Sequence, residues 1–242
     1  MDAIKIEGLT KRYRNVLAVD DLTLSVRNGE LISLLGVNGA GKTTTIKMLS
    51  CLTEPTGGDA YLLGKSIRRE ANEVKSFIAV SPQETAIAPG LTAKENLELI
   101  CGVHGFKKDE SAVKIKELTE LLGLDGILDR KAGKLSGGWQ RRLSIAMALI
   151  SEPKILFLDE PTLGLDVIAR SDLWDIIRSL KGRVTIILTT HYMEEAEALS
   201  DRIAIMRDGK LLVCDTSDNI KETAKTDSFE EAFVRIVKGV KR

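Results

Sequence analysis

Apolar and polar positions change their rhythm several times along this chain, and each rhythm predicts an element. Leu22, Leu24 and Val26 alternate with polar residues, as in a strand buried on one face. Asn28-Gly29 signals a turn, and Leu31 to Leu35 then forms a short run that reads as a buried strand. Lys42 to Cys51 reads as a helix, and Phe77 to Val80 as another short strand. From Thr92 to Leu122 the spacing of Leu97, Ile100, Ile115, Leu118, Leu121 and Leu122 becomes helical, which predicts a helical insertion between core strands. Ile155 to Leu158 and Val184 to Leu188 are continuous apolar runs, the pattern of parallel strands covered on both faces. Ile203 and Ile205, then Leu211 to Val213, flank Asp208-Gly209 and predict a hairpin. Phe229, Ala232, Phe233, Ile236 and Val237 recur at helical spacing near the end. That stripe reads as a helix on its own core, with a partner contact as the alternative.

Composition narrows the class. The 242 residues fit one large domain, and a hydrophobic content of 43% supplies a sizeable core. Lysine plus arginine equals aspartate plus glutamate at 35 each, so no excess positive charge points to nucleic acid. Cys51, Cys101 and Cys214 are far apart, and His104 and His191 are the only histidines, which argues against a disulfide framework or a zinc site. No apolar run approaches the roughly 20 residues that cross a bilayer. If the protein serves a membrane, another polypeptide is expected to span it.

Two glycine-rich segments carry the chemistry. Gly36-Val37-Asn38-Gly39-Ala40-Gly41-Lys42-Thr43 fits the phosphate-binding loop G-x-x-x-x-G-K-[ST] at every fixed position, with a strand before it and a helix after it. Its backbone N–H groups and the following helix N-terminus are expected to hold the phosphates of a nucleotide along Gly36 through Thr44. Lys42 reaches the β- and γ-phosphates, and the Thr43 hydroxyl binds Mg²⁺. The second segment, Leu135-Ser136-Gly137-Gly138, places bare N–H groups at another helix start. One nucleotide needs one cradle, so the spare suggests a site completed by another copy. Asp159 and Glu160 close the apolar strand Ile155 to Leu158 at its carboxyl end, where ligands of a doubly wound sheet sit. Asp159 is placed to hold Mg²⁺ and Glu160 to act as general base on the attacking water. His191 also follows an apolar strand, as either a structural histidine or a γ-phosphate contact. Tyr13, in Lys11-Arg12-Tyr13-Arg14, reads as a surface tyrosine, with stacking on adenine as the alternative.

Taken together the chain resembles the nucleotide-binding subunit of an ATP-binding cassette (ABC) transporter. The resemblance covers nearly the whole length. It rests on the phosphate loop, Gln83 in Ser81-Pro82-Gln83, the signature Leu135-Ser136-Gly137-Gly138, Asp159-Glu160, Gly164-Leu165-Asp166 and His191, in the family's order. It implies an α/β P-loop NTPase of ABC type: a RecA-like mixed sheet core, an antiparallel β subdomain and a helical insertion carrying the signature. Residues 1–242 would form one such domain, with the helical subdomain at about 84–150 and an amphipathic tail at about 217–242. It also implies a head-to-tail dimer with a second nucleotide-binding subunit, a homodimer, with two ATP molecules at the interface. Ser136, Gly137 and Gly138 would contact the γ-phosphate held by the partner's loop, and Asp166 would bridge the protomers. Tyr13 becomes an adenine contact, His191 a catalytic γ-phosphate contact and Gln83 a Mg²⁺ ligand beside a membrane partner.

One position departs from the family pattern: the fifth signature residue, usually Gln or Met, is Trp139. Its simplest reading is an apolar residue packed within the helical insertion. Pro161-Thr162-Leu163-Gly164-Leu165-Asp166, Thr190 to Glu197 and Ser228 to Phe233 look like the exporter branch that pairs with a separate permease, the drug, antibiotic, lipid, polysaccharide and sodium export ATPases. That branch implies export driven by ATP hydrolysis at the cytoplasmic face of the cell membrane. A soluble ABC ATPase acting on DNA or ribosomes is disfavoured by the short helical insertion, the single cassette and the balanced charge. A nucleotide switch that barely hydrolyses is disfavoured by the presence of both Glu160 and His191.

Overall fold

The computed structural model describes residues 2–239 and builds two sheets. The chain opens with two long strands, β1 (Asp2–Tyr13) and β2 (Val16–Arg27), paired antiparallel. β4 (Gly57–Leu62) and the short β5 (Lys65–Ser66) complete a four-stranded sheet in the order β2-β1-β4-β5. The second sheet holds β3 (Leu31–Leu35), β6 (Ile78–Ser81), β7 (Ile155–Asp159), β8 (Thr185–Thr190), β9 (Arg202–Arg207) and β10 (Lys210–Asp215). Its order is β10-β9-β3-β8-β7-β6, parallel throughout except for the β9–β10 hairpin.

The continuous apolar runs have a simple cause. Alternate residues of the central strands enter two different cores. Ile32, Leu34, Ile155, Phe157 and Ile187 pack against the apolar face of the antiparallel sheet, with Ile4, Ile6, Leu22 and Val26. Leu31, Leu156, Leu158, Ile186 and Leu188 pack toward the helices on the other face. Buried on both sides, these strands have no place for a polar alternation.

Helix α1 (Lys42–Leu49) follows β3, and α2 (Ala71–Ser76) precedes β6. The helical stretch from Thr92 comprises two helices, α3 (Ala93–Val103) and α4 (Lys108–Leu122). Thr92 and Glu95 form a reciprocal capping box that starts α3. His104-Gly105 ends it, with Gly105 at φ 77, and Gly123 at φ 63 ends α4. α5 (Gly137–Leu149) begins inside the second glycine segment. α6 (Val167–Leu180), α7 (Met193–Leu199) and α8 (Ser217–Ala224) follow, and α9 (Phe229–Lys238) is the last helix. Phe229 and Ala232 of α9 are buried in a small core with Leu35, Ala196, Ile203 and Ile205, and Phe233, Ile236 and Val237 pack against that core while staying partly exposed. Residues 240–242 of the expected tail lie outside the described residues. The cysteines are unpaired, and burial pushes all three thiols above their ordinary range. No helix among the described residues is long and apolar enough to cross a membrane.

Candidate functional site

β3, β7 and β8 are neighbours and parallel, so their carboxyl ends meet at one edge of the sheet. Gly36 follows β3, Asp159 and Glu160 end β7, and His191 follows β8. Three sequence-distant segments are thereby brought together. A cleft of about 750 Å³ opens there, lined by Asn38 to Thr44, Gln83, Glu160 and His191.

The glycine loop is built for an anion. The N–H groups of Gly39, Gly41, Lys42, Thr43 and Thr44 have no acceptor among the described residues. α1 has no side-chain cap and no acidic residue in its first turn, so its positive end is not neutralised locally. Gly41 sits at φ 100, and a Cβ there would lie 2.5 Å from the Ala18 carbonyl oxygen. Both the conformation and the contact require glycine. Gly41→Ala is expected to cost about 2–4 kcal/mol, a Tm lower by roughly 4–16 °C for a chain of this size. An unchanged melting curve by calorimetry would contradict that.

Lys42 is buried and directs its ammonium back over the loop. It donates to the carbonyl oxygens of Gly36 at 2.7 Å and Val37 at 3.3 Å, and lies 3.4 Å from Glu160 Oε1. The Thr43 hydroxyl donates to Asp159 Oδ1 at 3.1 Å, and Thr189 donates to the same oxygen at 2.5 Å. Glu160 is 6% exposed and adopts φ 50, a left-handed backbone uncommon outside glycine. Its N–H donates to the Thr189 carbonyl and lies 3.0 Å from the Thr189 hydroxyl oxygen, which fixes the turn. Its Oε2 stands 2.7 Å from His191 Nδ1. A carboxylate only accepts, so Nδ1–H is the donor of this pair.

Gln83 reaches the cleft on the loop after β6. Arg141 of α5, itself buried, donates to the carbonyl oxygens of Pro82 and Gln83 at 2.5 and 2.6 Å. This link between the second glycine segment's helix and the Gln83 loop has no sequence signal of its own. Tyr13 is not among the residues that line the cleft. It is 43% exposed at the end of β1, with Lys11 Nζ 5.0 Å from its ring centroid, and pairs across the sheet with Val16, which does line it.

Ser136, Gly137, Gly138 and Asp166 are not in the cleft. Gly137 and Gly138 lie instead against Leu165 and Ala169, which come before and after Asp166 in the chain. A Cβ on Gly137 would lie 3.6 Å from Leu165 Cδ2, and one on Gly138 would lie 2.9 Å from Ala169 Cβ. Asp166 caps α6, accepting from the Ala169 N–H at 2.9 Å. Val167 and Ile168, beside it, are 75% and 76% exposed. Trp139 packs within the chain: the Arg142 guanidinium lies 4.6 Å from its ring centroid and also holds Asp172 at 2.6 Å.

Sequence reading missed the support under the loop. The Asp208-Gly209 turn of the β9–β10 hairpin touches it: Gly209 N–H donates to the Ala40 carbonyl at 3.2 Å, and its own carbonyl accepts from Asp20 N–H at 2.9 Å. Val16, Leu17 and Ala18 also line the cleft. Only tertiary placement brings these residues here.

Comparison with known proteins agrees with this geometry. A family model described as ABC transporter matches residues 19–163. The daunorubicin/doxorubicin resistance ATP-binding protein DrrA of Streptomyces peucetius is 40% identical over 91% of this chain and 67% of its own length. The phospholipid-transporting ATPase ABCA3 and the ATP-binding cassette sub-family A member 2, both of Homo sapiens, are 40% and 44% identical, but the chain spans only 13% and 9% of their lengths. Among solved structures, an ATP binding subunit of an ABC transporter superposes with a TM-score of 0.85 at 28% identity, covering 97% of this chain and 99% of that one. A dimeric post-hydrolysis state of the ATP-binding cassette MJ0796 bound to ADP and Pi gives 0.79 at 26% identity, covering 88% and 98%. The chain belongs to the ABC transporter family, of which it carries the ATP-binding domain.

Proposed function

We propose that this chain is the ATP-hydrolysing motor of an exporter, working as a dimer beneath a separate transmembrane permease at the cytoplasmic face of the membrane. The observation that carries the reading is the convergence of free loop amides, Lys42, the Thr43–Asp159 pair and the Glu160–His191 pair at one sheet edge. Gly36, Val37, Asn38, Gly39, Ala40, Gly41, Lys42, Thr43 and Thr44 hold the triphosphate of ATP. Tyr13, at the rim of the antiparallel sheet, takes the adenine. Lys42 has three protons to share among two carbonyls and Glu160, and exchanging the carboxylate for a phosphate oxygen releases Glu160 for its own task. Glu160 takes the proton of the attacking water, and His191 holds that carboxylate in place through Nδ1.

The residues present fit Mg²⁺. Thr43, Asp159 and Gln83 offer hard oxygen donors, and no group of three or more His, Cys, Asp or Glu among the described residues forms a closed cage. That sparse set suits an ion that draws most of its ligands from phosphates and water. Bound Mg²⁺ supplies neutralisation of the charge on the transferred phosphoryl group.

Ser136, Gly137, Gly138 and Asp166 share a second surface, and a partner chain placed head to tail meets its ATP there. The drug-resistance relatives favour export, and the loop that starts at Gln83 is the proposed seat of the permease. Nothing in the charge balance favours nucleic acid.

The purified chain, alone and reconstituted with its permease, is expected to release phosphate from ATP with Mg²⁺ and to stop when EDTA removes the metal. Absence of Mg²⁺-dependent release in both preparations would overturn the reading.

A further inference from the structure

Glu195 of α7 is a side chain that the proposed reaction leaves unexplained. It is 0% exposed, yet no lysine or arginine lies within ion-pair distance of it among the described residues. The indole N–H of Trp174 donates to its Oε1 at 3.1 Å. Its Oε2 has no hydrogen-bond partner among the described residues, and neither does the buried hydroxyl of Thr162. Thr162 and Thr190 are its polar neighbours, and the Thr190 oxygen already accepts the Tyr192 N–H at 2.9 Å. The nearby charges are Glu160, which repels a second carboxylate, and Arg141, which attracts one.

These contacts place Glu195 between three parts of the machinery. Thr190 ends β8, directly before His191. Thr162 sits in the turn that runs from Glu160 to Asp166, where Leu163 N–H donates back to the Glu160 carbonyl and Leu165 N–H to the Thr162 carbonyl. Trp174 belongs to α6, the helix that Asp166 caps. An ionised carboxylate this deep, without a paired cation, costs several kcal/mol. The neutral acid avoids that cost and turns Oε2 into a donor, from which the idle Thr162 hydroxyl oxygen can accept.

We propose that Glu195 is a positioning residue held as a neutral acid, which accepts from Trp174 on Oε1, donates its one Oε2 proton to the Thr162 hydroxyl beside Thr190, and so fixes the turn that aims Glu160 and Asp166. Burial pushes its carboxyl above the usual carboxylate range, outweighing the neighbouring Thr190, Thr162 and Trp174 donors, which favour the charged form, and the Glu160 charge adds a smaller push upward. The proposal rests on Glu160 being the base of the reaction, but its first test does not.

Infrared spectra of the full chain at neutral pH test the protonation state without any need for turnover. A carboxylic acid C=O band is expected in the wild type and is absent from Glu195→Gln. Steady-state kinetics test the role. Gln keeps the shape, neutrality and a donor, so Glu195→Gln is expected to stay within about twofold of the wild-type kcat, whereas Glu195→Ala loses about ten- to a hundredfold in kcat with an unchanged KM for ATP. The proposal is overturned if the wild type lacks the band, if the Gln variant is as slow as the Ala variant, or if the Ala variant keeps full kcat. Should the Ala variant fail to fold, the infrared result on the wild type and the kinetics of the Gln variant still decide. A wild type that shows the band but hydrolyses nothing would sink the reading of Glu160 and leave the neutral acid standing.

Discussion

Glu160→Gln is expected to bind ATP as well as the wild type while releasing phosphate about a hundred- to ten-thousandfold more slowly, the range for loss of a general base. The amide preserves volume, and its oxygen can still accept from His191 Nδ1–H, now 2.7 Å from Glu160 Oε2. What it lacks is basicity. It also lacks charge, so the 3.4 Å attraction between Lys42 and this position disappears. Lys42 is then freer to engage phosphate, which predicts equal or tighter ATP binding rather than weaker. Single-turnover phosphate release and equilibrium binding of a fluorescent ATP analogue measure the two halves separately. Release near the wild-type rate would remove Glu160 from its role. Weak binding with normal chemistry would point instead to a disturbed Lys42.

Gly137→Asp is expected to abolish the ATP-dependent dimer while leaving the chain folded and its own phosphate loop competent. The contrast with its neighbour makes the variant informative. A Cβ on Gly137 meets only Leu165 at an ordinary 3.6 Å, whereas one on Gly138 would press on Ala169 at 2.9 Å. Gly137 is also the first residue of α5, where an acidic side chain is favourable to the helix itself. The fold therefore has no reason to reject the aspartate. A partner's γ-phosphate at the proposed interface would, because like charges at close range in an interface cost several kcal/mol. About 3 kcal/mol would weaken the dimer roughly a hundredfold. Light scattering on Glu160→Gln with ATP, with and without Gly137→Asp, is the measurement. If both assemble equally, the signature glycines do not face a partner's nucleotide, and their packing on Leu165 and Ala169 serves only the chain itself.

Much of the site was legible in the sequence because its chemistry is local. The phosphate loop needs its glycines and lysine at fixed spacing, and apolar runs ending in Asp159-Glu160 and His191 announce strand ends at which ligands collect. The central strands were legible for the same reason: two-sided burial leaves no alternation to misread. Other features were hidden in distance. Nothing in the spacing of Arg141 announces a pair of bonds to the carbonyls of Pro82 and Gln83. The break between α3 and α4 was carried by His104-Gly105, a weak signal inside a strong helical periodicity. β1 was missed although it is long, because its polar residues and register shifts blur the alternation. Trp139 illustrates the opposite case. A departure at a signature position draws attention to the interface, yet its ring is held by Arg142 of its own helix.

The Asp208-Gly209 turn has a practical consequence for anyone labelling or splicing this protein. Exposed hairpin tips are ordinarily where tags, fluorophores and inserted domains do least harm. This tip is different, since Gly209 is bonded on one side to Ala40 and on the other to Asp20, and a Cβ there would lie 3.1 Å from the Ala18 carbonyl oxygen. A graft at that hairpin would pull on the floor of the phosphate loop. The turns at Gly64 and Gly105, where nothing lies within 4 Å of an added Cβ, are the safer attachment points.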